Sequence, residues 1–81
     1  MNDGICIVGI IVEDRTHEAP RVQEILTEHN DAILSRSGIP LPNRDAGLIT
    51  ITMECTAKER EELMGALGAL KHVETQCMRF A

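Results

Sequence analysis

Two short segments carry side chains that strand and helix formation do not require: Asp14-Arg15-Thr16-His17 and Arg36-Ser37-Gly38-Ile39-Pro40. In the first, the Arg15 guanidinium suits an anionic ligand or a partner's carboxylate. Thr16 and the first amides of a following helix would add donors to the same charge. The competing reading is that Asp14 and Thr16 cap that helix and Arg15 is solvated. In the second segment, Arg36 suits a contact across a subunit boundary. Gly38 is expected in a positive-φ or bulged conformation, and Pro40 stiffens the exit. The plain alternative is that this stretch only turns the chain. Asp14, Arg15, Thr16, Arg36, Gly38 and Pro40 are therefore the candidate ligand- or partner-binding residues.

Other chemistries leave fainter traces. Of the three cysteines, Cys6, Cys55 and Cys77, no two form a C-x-x-C pair, so a sequence-local metal signal is missing. An antiparallel sheet could still gather them at one end, where a thiolate cluster would suit zinc or iron. Free cysteines more often act as small buried hydrophobes, so all three are expected to be buried, unpaired and slow to react. His17, His29 and His72 are dispersed, with His29 expected at the C-terminal end of a helix. No Ser-His-Asp arrangement, phosphate-cradling glycine loop or pair of buried carboxylates can be proposed. The expectation is a protein that is not an enzyme and holds no cofactor and no metal.

Charge narrows the partners further. The formal net charge is −5, and the eight basic residues are scattered rather than clustered. Phosphate neutralisation needs several cations together, and base stacking needs aromatics, of which Phe80 alone is present. No direct nucleic-acid binding is expected. Met1 to Gly4 carry no positive charge, and the apolar run Ile5–Val12 falls far short of the roughly 20 residues a spanning helix needs. A cytoplasmic protein without membrane contact is expected.

The elements that must position these residues follow from periodicity. Ile5–Val12 is β-branched and apolar on both parities, as a central strand would be. Thr16 is placed as the cap of a first helix whose Ala19, Val22, Ile25, Leu26 and His29 share one face, while Arg21, Gln23, Glu24 and Glu28 face away. A weaker strand is expected over Ala32–Ser37, then a long hairpin loop from Gly38 to Gly47. Leu48–Met53 alternates as a third strand, with Ile49, Ile51 and Met53 toward the helices. Thr56-Ala57-Lys58-Glu59 reads as a capping box opening a second helix, with Leu63, Met64, Leu67 and Leu70 as its apolar stripe. His72–Phe80 closes the chain as an edge strand.

This order is β-α-β-β-α-β in a single domain over 1–81, the split arrangement of ferredoxin-like α+β folds. It implies a four-stranded antiparallel sheet with the first and third strands central and both helices on one face. The two-sided apolar character of the first strand leaves an apolar patch on the helix-free face. In a chain this small, which buries only about 60–65% of its unfolded surface, such a patch points to self-association as a dimer or tetramer.

The segments Gly4-x-x-x-Val8-Gly9-Ile10-Ile11-Val12-Glu13-Asp14-Arg15, Glu24-Ile25-Leu26 and Arg36-x-Gly38-Ile39-Pro40 resemble the regulator family of the iron-only hydrogenase system, and the similarity extends to Leu67-x-x-Leu70. The resemblance implies an ACT-like, oligomeric domain, related to the C-terminal domain of the nickel-responsive repressor. It implies a regulatory or sensing role with a small ligand or a hydrogenase maturation protein as partner. ACT relatives bind small molecules near the turn after their first strand, usually at Asp-Arg-Pro-Gly. Here Asp14-Arg15 is kept, but Thr16-His17 follows. The repressor's DNA-binding segment has no counterpart before the first strand, so regulation is expected to act through another protein. A metal- or thiol-handling accessory in hydrogenase maturation, working through the cysteines, is the alternative.

Overall fold

A computed structural model describes residues 4–80. The leader expectation drawn from Met1 to Asp3 lies outside the described residues. Six main elements follow one another: β1 (Gly4–Glu13), α1 (Arg15–Glu28), β2 (Ile33–Leu41), β3 (Ala46–Cys55), α2 (Ala57–Gly68) and β4 (Val73–Arg79). A single 3-10 turn, Asn30–Ala32, links α1 to β2. The sheet is antiparallel in the order β2-β3-β1-β4, the ferredoxin-like arrangement.

Burial alternates along the central strands with the period of the pleat. Cys6, Val8, Ile10 and Val12 on β1 and Ile49, Ile51, Met53 and Cys55 on β3 are buried against Val22, Ile25 and Leu26 of α1 and Leu63 and Leu67 of α2. Aliphatic residues and two thiols supply this whole core, and it contains no buried polar or charged side chain among the described residues. On the helix stripes, Met64 and Leu70 pack only partly against the core, and Ala19 and His29 are half-buried. The capping box forms as expected, with the Thr56 hydroxyl accepting from the Glu59 amide and the Glu59 carboxylate accepting from the Thr56 amide.

Two boundaries differ from the sequence expectation. The segment from Gly38 is strand rather than loop: β2 continues through Gly38, Ile39, Pro40 and Leu41, which pair with Ile49, Leu48, Gly47 and Ala46. Pro40 is tolerated because β2 is an edge strand, where a missing amide donor need not break a ladder. Gly38 is extended, since no described glycine has a positive φ, and the register shift lies earlier, between Ile33 and Ser35. Only a tight turn at residues 42–45 remains of the expected loop.

The start of α1 also differs. Asp14, not Thr16, holds the N-cap position, in a left-handed conformation (φ 52°) and without a capping side-chain bond. Aspartate tolerates that region better than most residues. Thr16 is in the first helical turn, which pushes Pro20 into the second turn on the exposed side. No described helix is long and apolar enough to cross a membrane.

Gly65, in the middle of α2, has open space where a Cβ would stand. Gly65→Ala should therefore stabilise the protein by about 1 kcal/mol, raising Tm by ~4–8 °C in a domain of this size. Thermal unfolding followed by circular dichroism checks this, and an unchanged or lowered Tm would show a contact at Gly65 that the fold does not provide.

Candidate functional site

Because β1 and β2 both run antiparallel to β3, they run in the same direction and finish at the same end of the sheet. The topology therefore brings the two candidate segments side by side within one monomer. Gly47 pairs with Val12 on one side and Pro40 on the other, placing the start of α1 next to the end of β2.

Strand alternation then sorts the second segment. Arg36, Gly38 and Pro40 lie opposite Ile51, Ile49 and Gly47, residues of the helix-covered side of β3. All three candidates therefore share the face toward α1. Their strand lies at the sheet margin and stays largely exposed, so a cleft remains open between α1 and β2. Arg15, Gln23, Gly38, Pro40, Gly47 and Ile49 are among the residues lining a cavity of about 220 Å³ there. A shallower recess continues outward past Arg15, Thr16 and Asp45.

Gly47 explains how Arg15 reaches this cleft. A Cβ on Gly47 would stand 3.4 Å from the Ile39 carbonyl oxygen, 3.5 Å from Arg15 Cδ and 3.6 Å from Arg15 Nε. The arginine stem therefore lies across bare backbone, while its own amide donates to the Asp45 carbonyl at 3.1 Å. Arg36 donates to the Gln23 side chain across the cleft, and Arg44 pairs with Glu13. Arg15 forms no ion pair with another described residue. Chemically, the arrangement offers one free guanidinium, a second held by a neutral amide, and apolar walls.

The remaining candidates sit at the rim. Asp14 Oδ1 meets His17 Nδ1 at 2.8 Å, and the Thr16 hydroxyl donates to Asp45 Oδ2 at 3.4 Å. The hydrogen bond and charge of Asp14 raise the His17 pKa above its ordinary 6.5. Asp14 and Thr16 are thus engaged within the rim rather than aimed into the cleft. Gln23, expected to face away, and Gly47, expected in a loop, belong to the cleft. The every-second-residue spacing of Arg36, Gly38 and Pro40 was the signal that could have found it.

The opposite end of the sheet collects the thiols. Cys6 and Cys55 are buried, whereas Cys77 is exposed, which corrects the expectation that all three are covered. The edge strand β4 is exposed there, from Gln76 to Arg79. Burial first, and then the neighbouring Cys55 and Cys77 thiols, push the Cys6 pKa up to about 12. Among the described residues, no group of three or more His, Cys, Asp or Glu side chains is arranged to hold a metal ion.

Comparison with known proteins gives a consistent picture. Residues 4–77 match the TM1266-like family, whose inferred description is iron-only hydrogenase system regulator. The structure of the uncharacterized protein TM1266 from Thermotoga maritima superposes with a TM-score of 0.94 at 25% identity, covering 99% of this chain and 100% of that one. The C-terminal domain of MgtC from Mycobacterium tuberculosis shares the fold, with a TM-score of 0.73 at 13% identity over 98% of this chain and 89% of that one. So does the nitrogen regulatory PII-like protein CPII from Thiomonas intermedia K12, bound to ADP, AMP and bicarbonate, with a TM-score of 0.57 at 11% identity over 96% and 93% of the two chains. No curated protein matches the sequence.

The Asp14–His17 contact has a definite pH signature. A histidine raised in the folded state contributes its stabilisation fully below the ordinary 6.5 and loses it as pH rises through the folded value. In an NMR titration His17 should show a midpoint above 6.5 that falls back toward 6.5 in Asp14→Asn. A midpoint unmoved by that substitution would show that the contact does not persist in solution.

Proposed function

The chain belongs to the TM1266-like family of iron-only hydrogenase system regulators, and on that premise we propose that it is a non-catalytic sensing module with two working surfaces. The cleft between α1 and β2 takes an anionic group, from a small ligand or from a partner protein of the hydrogenase system. The helix-free face of the sheet joins copies of the chain.

The observation that carries the first part is Arg15. Its stem is laid over Gly47, it forms no ion pair with any described carboxylate, and it stands at the mouth of a cavity walled by Gly38, Pro40 and Ile49. Guanidinium groups in such settings match planar or tetrahedral anions with paired hydrogen bonds. A PII-like protein with the same fold is described with ADP, AMP and bicarbonate, which supports a small anion as a workable ligand for this architecture.

Two observations support the second part. Ile5, Ile7 and Ile11 of β1 lie on the helix-free side and are only half-buried, and Ile39, Met78 and Phe80 beside them are more than half exposed. Between Ile7 and Ile11 sits Gly9, in ordinary extended backbone with open space above it. A glycine inside a strand costs roughly 0.5–1 kcal/mol without a reason of its own. Close approach of another surface supplies one.

Each surface has its own test. Arg15→Ala should fold and assemble normally yet bind hydrogenase maturation partners or small anions at least about 10-fold more weakly, the scale of a lost charged hydrogen bond. Ile7→Lys should dissociate the assembly in light scattering while leaving the cleft intact. If Arg15→Ala together with Arg36→Ala keeps every partner, those residues only pack the chain. A native protein that is monomeric at micromolar concentration would remove the second surface.

A further inference from the structure

The thiols at the end of the sheet remote from the cleft are the largest group of reactive side chains that the proposed function leaves unused. The β1–β4 register places Cys6 opposite Arg79 and Val8 opposite Cys77, so Cys77 is one diagonal step from Cys6 on the helix-bearing face. The β1–β3 register places Cys6 opposite Met53 and Gly4 opposite Cys55, so Cys55 is one diagonal step away on the other side. Cys6 stands between two thiols, one buried and one open to solvent.

From this arrangement we propose that Cys77 and Cys6 form a reversible oxidation site, in which the exposed Cys77 reacts first with a small peroxide and Cys6 then closes an internal disulfide. The Cys77 sulfur attacks one peroxide oxygen, the O–O bond breaks, and Cys77 becomes a sulfenic acid as the departing hydroxide takes up the Cys77 thiol proton and leaves as water. The Cys6 sulfur then displaces the sulfenic oxygen, which departs as water with the Cys6 proton. The sum is two thiols and one hydrogen peroxide giving one disulfide and two waters. Reversible oxidation of this kind is the usual form cysteine pairing takes inside a reducing cell.

Three features select this pair. Access decides the first step: Cys6 and Cys55 are each 2% exposed, so peroxide reaches Cys77. Acidity fits only the order of events: burial raises the Cys6 pKa, so Cys6 stays a thiol during the first step and gives up its proton as it attacks in the second. Mobility decides the second step. Diagonal neighbours across an antiparallel pair are ~7–8 Å apart at Cα, slightly beyond the ~4.4–6.8 Å that a disulfide spans. Closing the bond needs a strand to give by roughly 1 Å. β4 can do so because it is paired on one side only, whereas β3, which carries Cys55, is held between β2 and β1. The proposal stands apart from the cleft and does not depend on Arg15.

The test treats the intact native chain with hydrogen peroxide and counts thiols, then maps linked peptides by mass spectrometry before and after dithiothreitol. Free thiols should fall from three to one. The chain should stay unlinked to other copies, and one reducible bond should join Cys6 to Cys77. Cys77→Ser should keep both of its thiols under the same exposure. A Cys6–Cys55 link, a Cys77–Cys77 link between chains, or Cys77 carried on to sulfinic acid with Cys6 untouched would each overturn the proposal. The mapping is done on the unsubstituted chain, so a variant that folds poorly does not blunt it.

Discussion

The ten paired positions between β1 and β3, from Gly4 opposite Cys55 to Glu13 opposite Ala46, set where every reactive group in this molecule can lie. Side chains alternate between faces along a strand, so a slip of one residue would turn Cys6, Val8, Ile10 and Val12 out of the core. Each of the larger ones contributes about 1.5–3 kcal/mol by burial, which makes such a slip prohibitive in a chain of this size. With that register fixed, β2 and β4 add on either side, and two ends of different character result. One end gathers the β1–α1 junction, the β2–β3 turn and the cleft with Arg15. The other gathers Cys6, Cys55 and the edge of β4.

The fold was legible because its main signals are local and redundant. The β-branched run Ile5–Val12, the alternation over Leu48–Met53 and the capping box at Thr56–Glu59 each depend on neighbouring residues alone, and the structure bears them out. What was misread turns on context. Gly38 and Pro40 are loop formers by intrinsic preference, and only their place on an edge strand lets them extend β2. Thr16 was a better cap than Asp14 by residue type. The chain instead turns into α1 through a left-handed Asp14, held by the Arg15 amide on the Asp45 carbonyl, 30 residues further along. A long-range bond of that kind leaves no trace in a local window.

The cleft was only half legible for the same reason. Arg15 and the Arg36–Pro40 segment stood out because neither helix nor strand needs them. Their meeting depends on β1 and β2 running the same way, which follows from the topology and not from either segment. Gly47 and Gln23 could not be assigned at all from the sequence, since one looked like a turn residue and the other like a solvated helix position. Their roles come from the arginines lying against them. The exposure of Cys77 is a similar case, because burial at an edge strand depends on how far the helices above it extend.

The central claim is that the Arg15 cleft is a binding site for anions rather than a packing feature. The direct measurement is an NMR titration of the native protein with small mono- and dicarboxylates, bicarbonate and inorganic phosphate, observing the Arg15 Nε–H and the Gly38 and Gly47 amides. The account predicts saturable shifts at those three groups, with at least one of these anions, while amides around Cys55 and Phe80 at the far end stay still. Shifts spread evenly over all exposed cations, or none at Arg15 with any anion, would contradict it.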